Sequence, residues 1–139
     1  EEVRGVNSRA ELAEAEGIMR RRLIAQHQDR GVTFRDPEGT FLSATVTLGS
    51  DVVVGVGVQL WGETHVGDRT QIDGPTVIRD SVVEADCFIH SFCHMDEASV
   101  GRGATVGPYA RLRPAARLDE KARVGNFVEI SWIDSFLWK

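Results

Sequence analysis

The feature that most constrains this chain is a period of six. From Val100 onward an aliphatic residue falls at every sixth position: Val100, Val106, Leu112, Leu118, Val124 and Ile130. Four residues after each of the first four stands an alanine (Ala104, Ala110, Ala116, Ala122), and Val128 follows Val124 in the same way. A helix repeats near 3.6 residues and a two-faced strand at 2, so neither carries this pattern. A hexapeptide period is the mark of a β-helix. An earlier frame holds Leu42, Leu48, Val54, Leu60, Val66, Ile72 and Ile78, with small or β-branched partners Val46, Val52, Val58, Thr64, Thr70, Thr76 and Val82. A middle frame holds Val83, Ile89 and Met95, with Cys87, Cys93 and Ser99. The register slips by one residue between Ile78 and Val83, and again between Met95 and Val100.

Each unit reads as one flat side of a triangular prism, with three units to a coil. Residues eighteen apart then stack at roughly 4.8 Å, the spacing of paired strands. The aliphatic position fills the interior, and the residue four later also points inward, near a corner. Gly49, Gly55, Gly67, Gly101, Gly107 and Gly125 follow aliphatic positions, where a bend that exploits glycine is expected. The expected fold is mainly β: a parallel β-helix of hexapeptide repeats over 32–130, after a helix over 9–29 and before a non-repeat tail, 131–139. Each coil covers the edge of the one before, so the ends need caps.

Ser8 and Glu11 form a capping box ahead of the helix. Leu12, Ala15, Met19, Leu23 and Gln26 lie on one side, as a narrow apolar stripe that needs a surface to pack on. Arg20, Arg21 and Arg22 read as a solvated face. His27 and Arg30 sit where the helix dipole favours positive charge, and Gly31 ends the helix. Asp36-Pro37 and Gly39 mark turns in the extended stretch leading into the prism. Beyond Ile130 the pattern fails: Asp134 stands at an inward position, and Trp132, Ile133, Phe136, Leu137 and Trp138 crowd together. This tail is either a hydrophobic cap on the last coil or foreign to the repeat, as after a frame change.

The 139 residues carry a net charge of −5, which argues against non-specific nucleic-acid binding. No apolar run is long enough to span a membrane. The acidic, helical start is unlike a signal peptide, and a cytoplasmic location is expected. Cys87 and Cys93 fall at inward positions of consecutive units. Those units lie on different sides of the prism, so the two read as buried, reduced thiols.

Three passages resemble one family: "EVRGVNSRAELAEAE" (residues 2–16), "GVTFRDPEGTF" (31–41) and "VGPYARLRPAARLDEKARVGNFVEI" (106–130). They look like the bacterial bifunctional enzymes that make UDP-N-acetylglucosamine, in which a glucosamine-1-phosphate N-acetyltransferase is joined to an N-acetylglucosamine-1-phosphate uridylyltransferase. The resemblance implies a left-handed β-helix, a homotrimer, acetyl-CoA as acyl donor, and Mg²⁺ with UTP in the uridylyltransferase half. By this match residues 1–31 are the linker helix at the end of the uridylyltransferase domain. Asn7 matches the family's metal-binding asparagine, here a remnant, because Mg²⁺ wants octahedral oxygen ligation that one asparagine cannot supply. Arg113 matches the arginine that holds the sugar phosphate, a task suited to its planar fork. The family's second cation, a lysine eighteen positions on and stacked above, is Ser131 here, and its catalytic histidine has no counterpart. The expectation is a partial chain of an enzyme of cell-wall precursor synthesis, inactive alone. It binds neither acetyl-CoA nor Mg²⁺ by itself, has no assigned catalytic residue, and offers Arg113 as a sugar-phosphate ligand.

Two other classes compete. Loss of the lysine and histidine suits a non-catalytic, trimerising scaffold. A β-helix carbonic anhydrase would need three convergent histidines on Zn²⁺, with His65, His90 and His94 as candidates. Tyr109, Phe127 and Leu60–Trp61 are the expected trimer contacts, as large apolar groups on the outside.

Overall fold

The computed structural model of the chain describes residues 8–131. A helix, Arg9–Asp29, leads into a parallel β-helix of about five coils. Ser8 caps the helix by accepting the Glu11 N–H at 3.1 Å, and Gly31, at φ +94°, turns the chain away from its end. The turn at Pro37–Gly39 is closed by Asp36 Oδ1, which accepts the Gly39 N–H at 3.2 Å.

Three parallel sheets form the prism. The first side stacks Thr33–Phe34, Val53–Val54, Gln71–Ile72, Phe88–Ile89, Thr105–Val106 and Arg123–Val124. The second stacks Phe41–Leu42, Val58–Trp61, Thr76–Arg79, Cys93–Asp96, Ala110–Leu112 and Val128–Ile130. The third stacks Thr47–Leu48, His65–Val66, Val82–Val83, Ser99–Val100 and Arg117–Leu118. Val106 pairs with Val124 one coil apart, as the period requires. Most of the aliphatic column is dry: Val54, Leu60, Ile72, Ile78, Ile89, Met95, Val106 and Leu112 are fully buried, whereas Leu48 is only partly so. Each such side chain contributes roughly 1.5–3 kcal/mol of apolar burial.

At the two slips the structure departs from the sequence reading. Ser81 and Ala98, not Val82 and Ser99, take the inward small position, and Val82 and Ser99 face out. The missing residue comes from the stretch before the small position, so that residue moves one place earlier. The inward hydroxyls also do more than fit. The Thr70 hydroxyl donates to Glu84 O at 2.8 Å and accepts the Cys87 N–H at 3.2 Å from the next coil. The Ser81 hydroxyl donates to Arg79 O at 2.8 Å and accepts the Ala98 N–H at 3.1 Å. They staple coil to coil.

The glycines after aliphatic positions serve close approach more than bending. A Cβ on Gly67 or Gly101 would lie 2.5–2.9 Å from backbone atoms of the next coil. The corners themselves are turned mostly by non-glycine residues at positive φ, in three columns. One is charged: Asp51, Arg69, Asp86 and Lys121. The second is Asp80, Glu97 and Ala115, and the third is aromatic: Phe92, Tyr109 and Phe127. In the charged column Asp86 takes Arg69 Nε at 2.8 Å and Arg102 Nη2 at 3.2 Å. The Arg69 hydrogen bond, above all, holds the Asp86 carboxyl below its ordinary pKa.

The helix docks differently from its apolar stripe. Gly17, Ile24 and His27 are the buried residues, while Leu12 and Met19 stay about half exposed. Ala15, Met19 and Leu23 instead line a groove of about 530 Å³ against Phe41 and Trp61. His27 is therefore no solvent-facing cation: burial, with Arg30 beside it, lowers its pKa. Arg20 is not solvated either. Its guanidinium lies 4.4 Å over the Phe41 ring and donates to Glu38 O at 3.1 Å. The tail beyond Ser131, and with it the proposed cap from Trp132 to Trp138, lies outside the described residues.

Candidate functional site

The second side of the prism carries Arg113, the residue expected from the sequence to hold a sugar phosphate. Its strands end in a vertical column formed by Arg79, Asp96, Arg113 and Ser131. Cys93–Asp96 pairs with Thr76–Arg79 in register, Met95 pairs with Leu112, and Leu112 pairs with Ile130. Arg113 therefore stands one coil above Asp96, and Ser131 one coil above Arg113. The Arg113 backbone is fixed from the coil above and within its own turn: the Arg113 N–H donates to Ile130 O at 2.8 Å, and Arg113 O accepts the Ala116 N–H at 3.0 Å. The Arg113 side chain is exposed, and its guanidinium has no hydrogen bond or ion pair among the described residues. Its neighbour on the same strand is committed, because Arg111 Nη1 pairs with Glu129 Oε2 at 3.2 Å. So one arginine on this edge holds a partner within the chain, and the other's fork of donors meets none among the described residues.

Asn7 lies outside the described residues. The three histidines do not come together: His65 is on the third side, His94 on the second, and His90 follows a first-side strand. His65 Nδ1 is taken by the Thr47 hydroxyl, and His90 stacks on Phe88 with centroids 4.2 Å apart. Among the described residues the one close trio of metal-type side chains is Asp80, Asp96 and Glu97, all carboxylates and none buried. Cys87 and Cys93 are free and buried, and burial pushes both thiols above their ordinary pKa. Buried thiols of raised pKa make poor nucleophiles. Leu60 fills the interior and is no outward contact, and Trp61 is half-buried. Tyr109 and Phe127 do face out, and Phe92, which the sequence reading passed over, extends their row. A search seventeen residues back from Tyr109, allowing for the second slip, would have found it.

Among the described residues no helix is long and apolar enough to cross a membrane. No family model matches the chain. It is 42% identical over 130 residues to a bifunctional protein GlmU from Cupriavidus pinatubonensis, which covers 94% of this chain and 29% of that protein. It is also 42% identical over 127 residues to one from Streptococcus suis, covering 91% of this chain and 27% of that protein. The chain thus spans less than a third of these curated relatives. Among solved structures, a variant of perosamine N-acetyltransferase from Caulobacter crescentus, in complex with CoA and GDP-perosamine, matches with a TM-score of 0.64. That match has 22% identity and covers 82% of this chain and 60% of the other. The chain is therefore a left-handed β-helix of the kind found in hexapeptide acetyltransferases, and over nearly all its length it is similar to part of the bifunctional GlmU proteins.

Proposed function

We propose that this chain supplies the linker helix and lower coils of the acetyltransferase half of an enzyme that makes UDP-N-acetylglucosamine, and that Arg113 holds the phosphate of glucosamine-1-phosphate. The observation that carries the reading is the exposed, uncommitted guanidinium of Arg113 at the end of the second side, directly below Ser131. A phosphate placed over that edge can take two N–H donors from one arginine. Ser131 adds at most a neutral hydroxyl where a second cation would complete the clamp.

Acetyl-CoA, when bound, supplies the acyl group that passes to the sugar amine. The part of this chain is to bind and orient the sugar through its phosphate. No described residue is assigned as the base that takes the amine proton. The ligands of Mg²⁺ are not met here either. Its asparagine lies outside the described residues, and the Asp80, Asp96 and Glu97 trio sits at a corner of the acetyltransferase prism, two of its carboxylates exposed and Asp96 half-buried. Binding without turnover follows, in a cytoplasmic homotrimer serving cell-wall precursor synthesis. The neutral Ser131 also favours a second reading, a trimerising scaffold with no chemistry of its own.

The test is thiol release from acetyl-CoA in the presence of glucosamine-1-phosphate, together with UTP-dependent formation of UDP-N-acetylglucosamine. The expected result is no turnover of either kind. Turnover by the pure chain that disappears in Arg113→Ala would overturn the assignment of an incomplete site.

A further inference from the structure

The helix is joined to the prism less completely than the coils are joined to one another. It packs against the first strand, Thr33–Phe34, the second, Phe41–Leu42, and the turn at Pro37–Gly39. Among the described residues two buried side-chain nitrogens lack a hydrogen-bond partner, Arg20 Nε and His27 Nδ1, and both belong to this joint. Arg20 and His27 stand seven residues apart, about two helical turns, so they share the face that carries Gly17 and Ile24. Between coils, by contrast, the buried hydroxyls of Thr70 and Ser81 each donate one bond and accept another. A buried polar group without a partner costs free energy that docking must offset. The helix is thus the element nearest to release.

His27 sits at the hinge itself. Its O accepts the Arg30 N–H at 3.0 Å and the Val32 N–H at 3.1 Å, and between them Gly31 turns at positive φ. Gly31 O in turn accepts the Asp51 N–H of the next coil at 3.0 Å. The residue is 6% exposed. Around it the joint offers a proton nothing to pair with. On the helix Asp29 and Arg30 point to solvent, as do Arg35 after the first strand and Asp51 on the coil; none hydrogen-bonds or pairs with the ring. On the turn, Asp36 Oδ1 is taken by the Gly39 N–H and Glu38 by Arg21 at 3.5 Å. The second strand, Phe41–Leu42, carries no charge. From the first strand comes Phe34, its ring centroid 6.4 Å away and tilted by 52°, too distant and oblique to face a cation. Burial first, and Arg30 second, therefore hold the His27 pKa below its ordinary value. A neutral imidazole is tolerated here, whereas the imidazolium is a full charge with donors on both nitrogens and no acceptor for Nδ1. Swinging the last helical turn out to water relieves it.

We infer that His27 is a proton-operated latch on the joint between helix and prism: neutral, it lets the last turn seat on the first strand, and protonated, it releases that end of the helix while the coils stay folded. The inference is independent of the sugar-phosphate reading and concerns the opposite end of the prism.

Hydrogen exchange on the intact chain at pH 7.5 and 5.5, corrected for the intrinsic pH dependence of exchange, reads helix and coils separately. The expected result is that protection over residues 23–29 falls roughly tenfold at pH 5.5 relative to coil amides such as those of Ile89 and Val106. In His27→Met, verified as folded by circular dichroism, that selective fall should disappear. An equal fall in helix and coils overturns the latch, because it marks a general weakening, and so does a selective fall that persists in His27→Met. If the variant does not fold, the parent decides by NMR: the His27 ring and the helix amides should titrate with one midpoint, and separate midpoints overturn the latch.

Discussion

Two glycines at the same place in the hexapeptide are expected to respond very unequally to one added methyl group. Gly101 follows Val100 and Gly125 follows Val124. A Cβ on Gly101 would lie 2.6 Å from Asp119 C, 2.7 Å from Glu120 N and 2.8 Å from Leu118 O, all backbone atoms of the next coil. Ordinary contact begins near 3.4 Å, so the coils must part by roughly 0.6–0.8 Å there. That stretches the Gly101 N–H bond to Leu118 O, now 2.8 Å, and strains the neighbouring Ser99 N–H bond to Ala116 O, now 2.9 Å. Overpacking of this kind costs about 1–3 kcal/mol, and each weakened ladder bond a further ~0.5–1.5 kcal/mol at most. Gly101→Ala should therefore destabilise by about 2–4 kcal/mol. At this chain length that is a fall in Tm of roughly 6–20 °C. Gly125 meets nothing within 4 Å among the described residues and has no positive φ. Gly125→Ala should stay within about 0.5 kcal/mol of the parent. Thermal and urea melts of the two variants are the assay. Equal shifts would refute the claim that backbone approach between coils, rather than the bend, selects these glycines.

Three further changes test other parts of the fold. Thr70→Val keeps the shape, as Val52 shows one coil below in the same column, but removes the acceptor of the Cys87 N–H. Denaturant melts should show a loss of about 1–3 kcal/mol, and a neutral result would refute the staple. Gly17→Ala should stabilise by about 0.5–1 kcal/mol in the same melts. Its Cβ meets nothing closer than the Arg21 guanidinium at 3.7 Å, and alanine is the better helix former. His27 has a folded pKa below its ordinary 6.5, from burial first and Arg30 second. The unfolded chain therefore takes the proton more readily, so this contribution is intact above about pH 6.5 and is lost as pH falls below it. Urea melts at pH 7.5 and 5.5 should show a larger acid loss for the parent than for His27→Met, and parallel losses would refute the assignment.

The prism was legible because the interior of a β-helix admits one side-chain type per position, coil after coil. Val100 through Ile130 write that rule without a break. The slips were visible as slips, but which residue turned inward was not. Ser81 and Val82 are both small enough, and the choice depends on where the corner gives up a residue. The helix misled for a related reason. Its stripe of Leu12, Met19 and Leu23 is real, but the first coil offers its surface at Gly17, Ile24 and His27, and no local pattern in the helix encodes where that surface lies. The positions of Arg113 and Ser131 one above the other follow from the eighteen-residue period alone. That Arg113 is uncommitted while Arg111 is held by Glu129 depends on side-chain reach, which spacing does not show.

The most direct test of the site is titration of the chain with glucosamine-1-phosphate, followed by calorimetry and by amide shifts in two-dimensional NMR. The expected result is weak, saturable binding with the largest shifts around Arg113 and Ser131, and affinity reduced about tenfold or more in Arg113→Ala, since a charge-assisted hydrogen bond contributes about 1.5–3 kcal/mol. Equal affinity in the alanine variant, or shifts confined to the opposite sides of the prism, would contradict it.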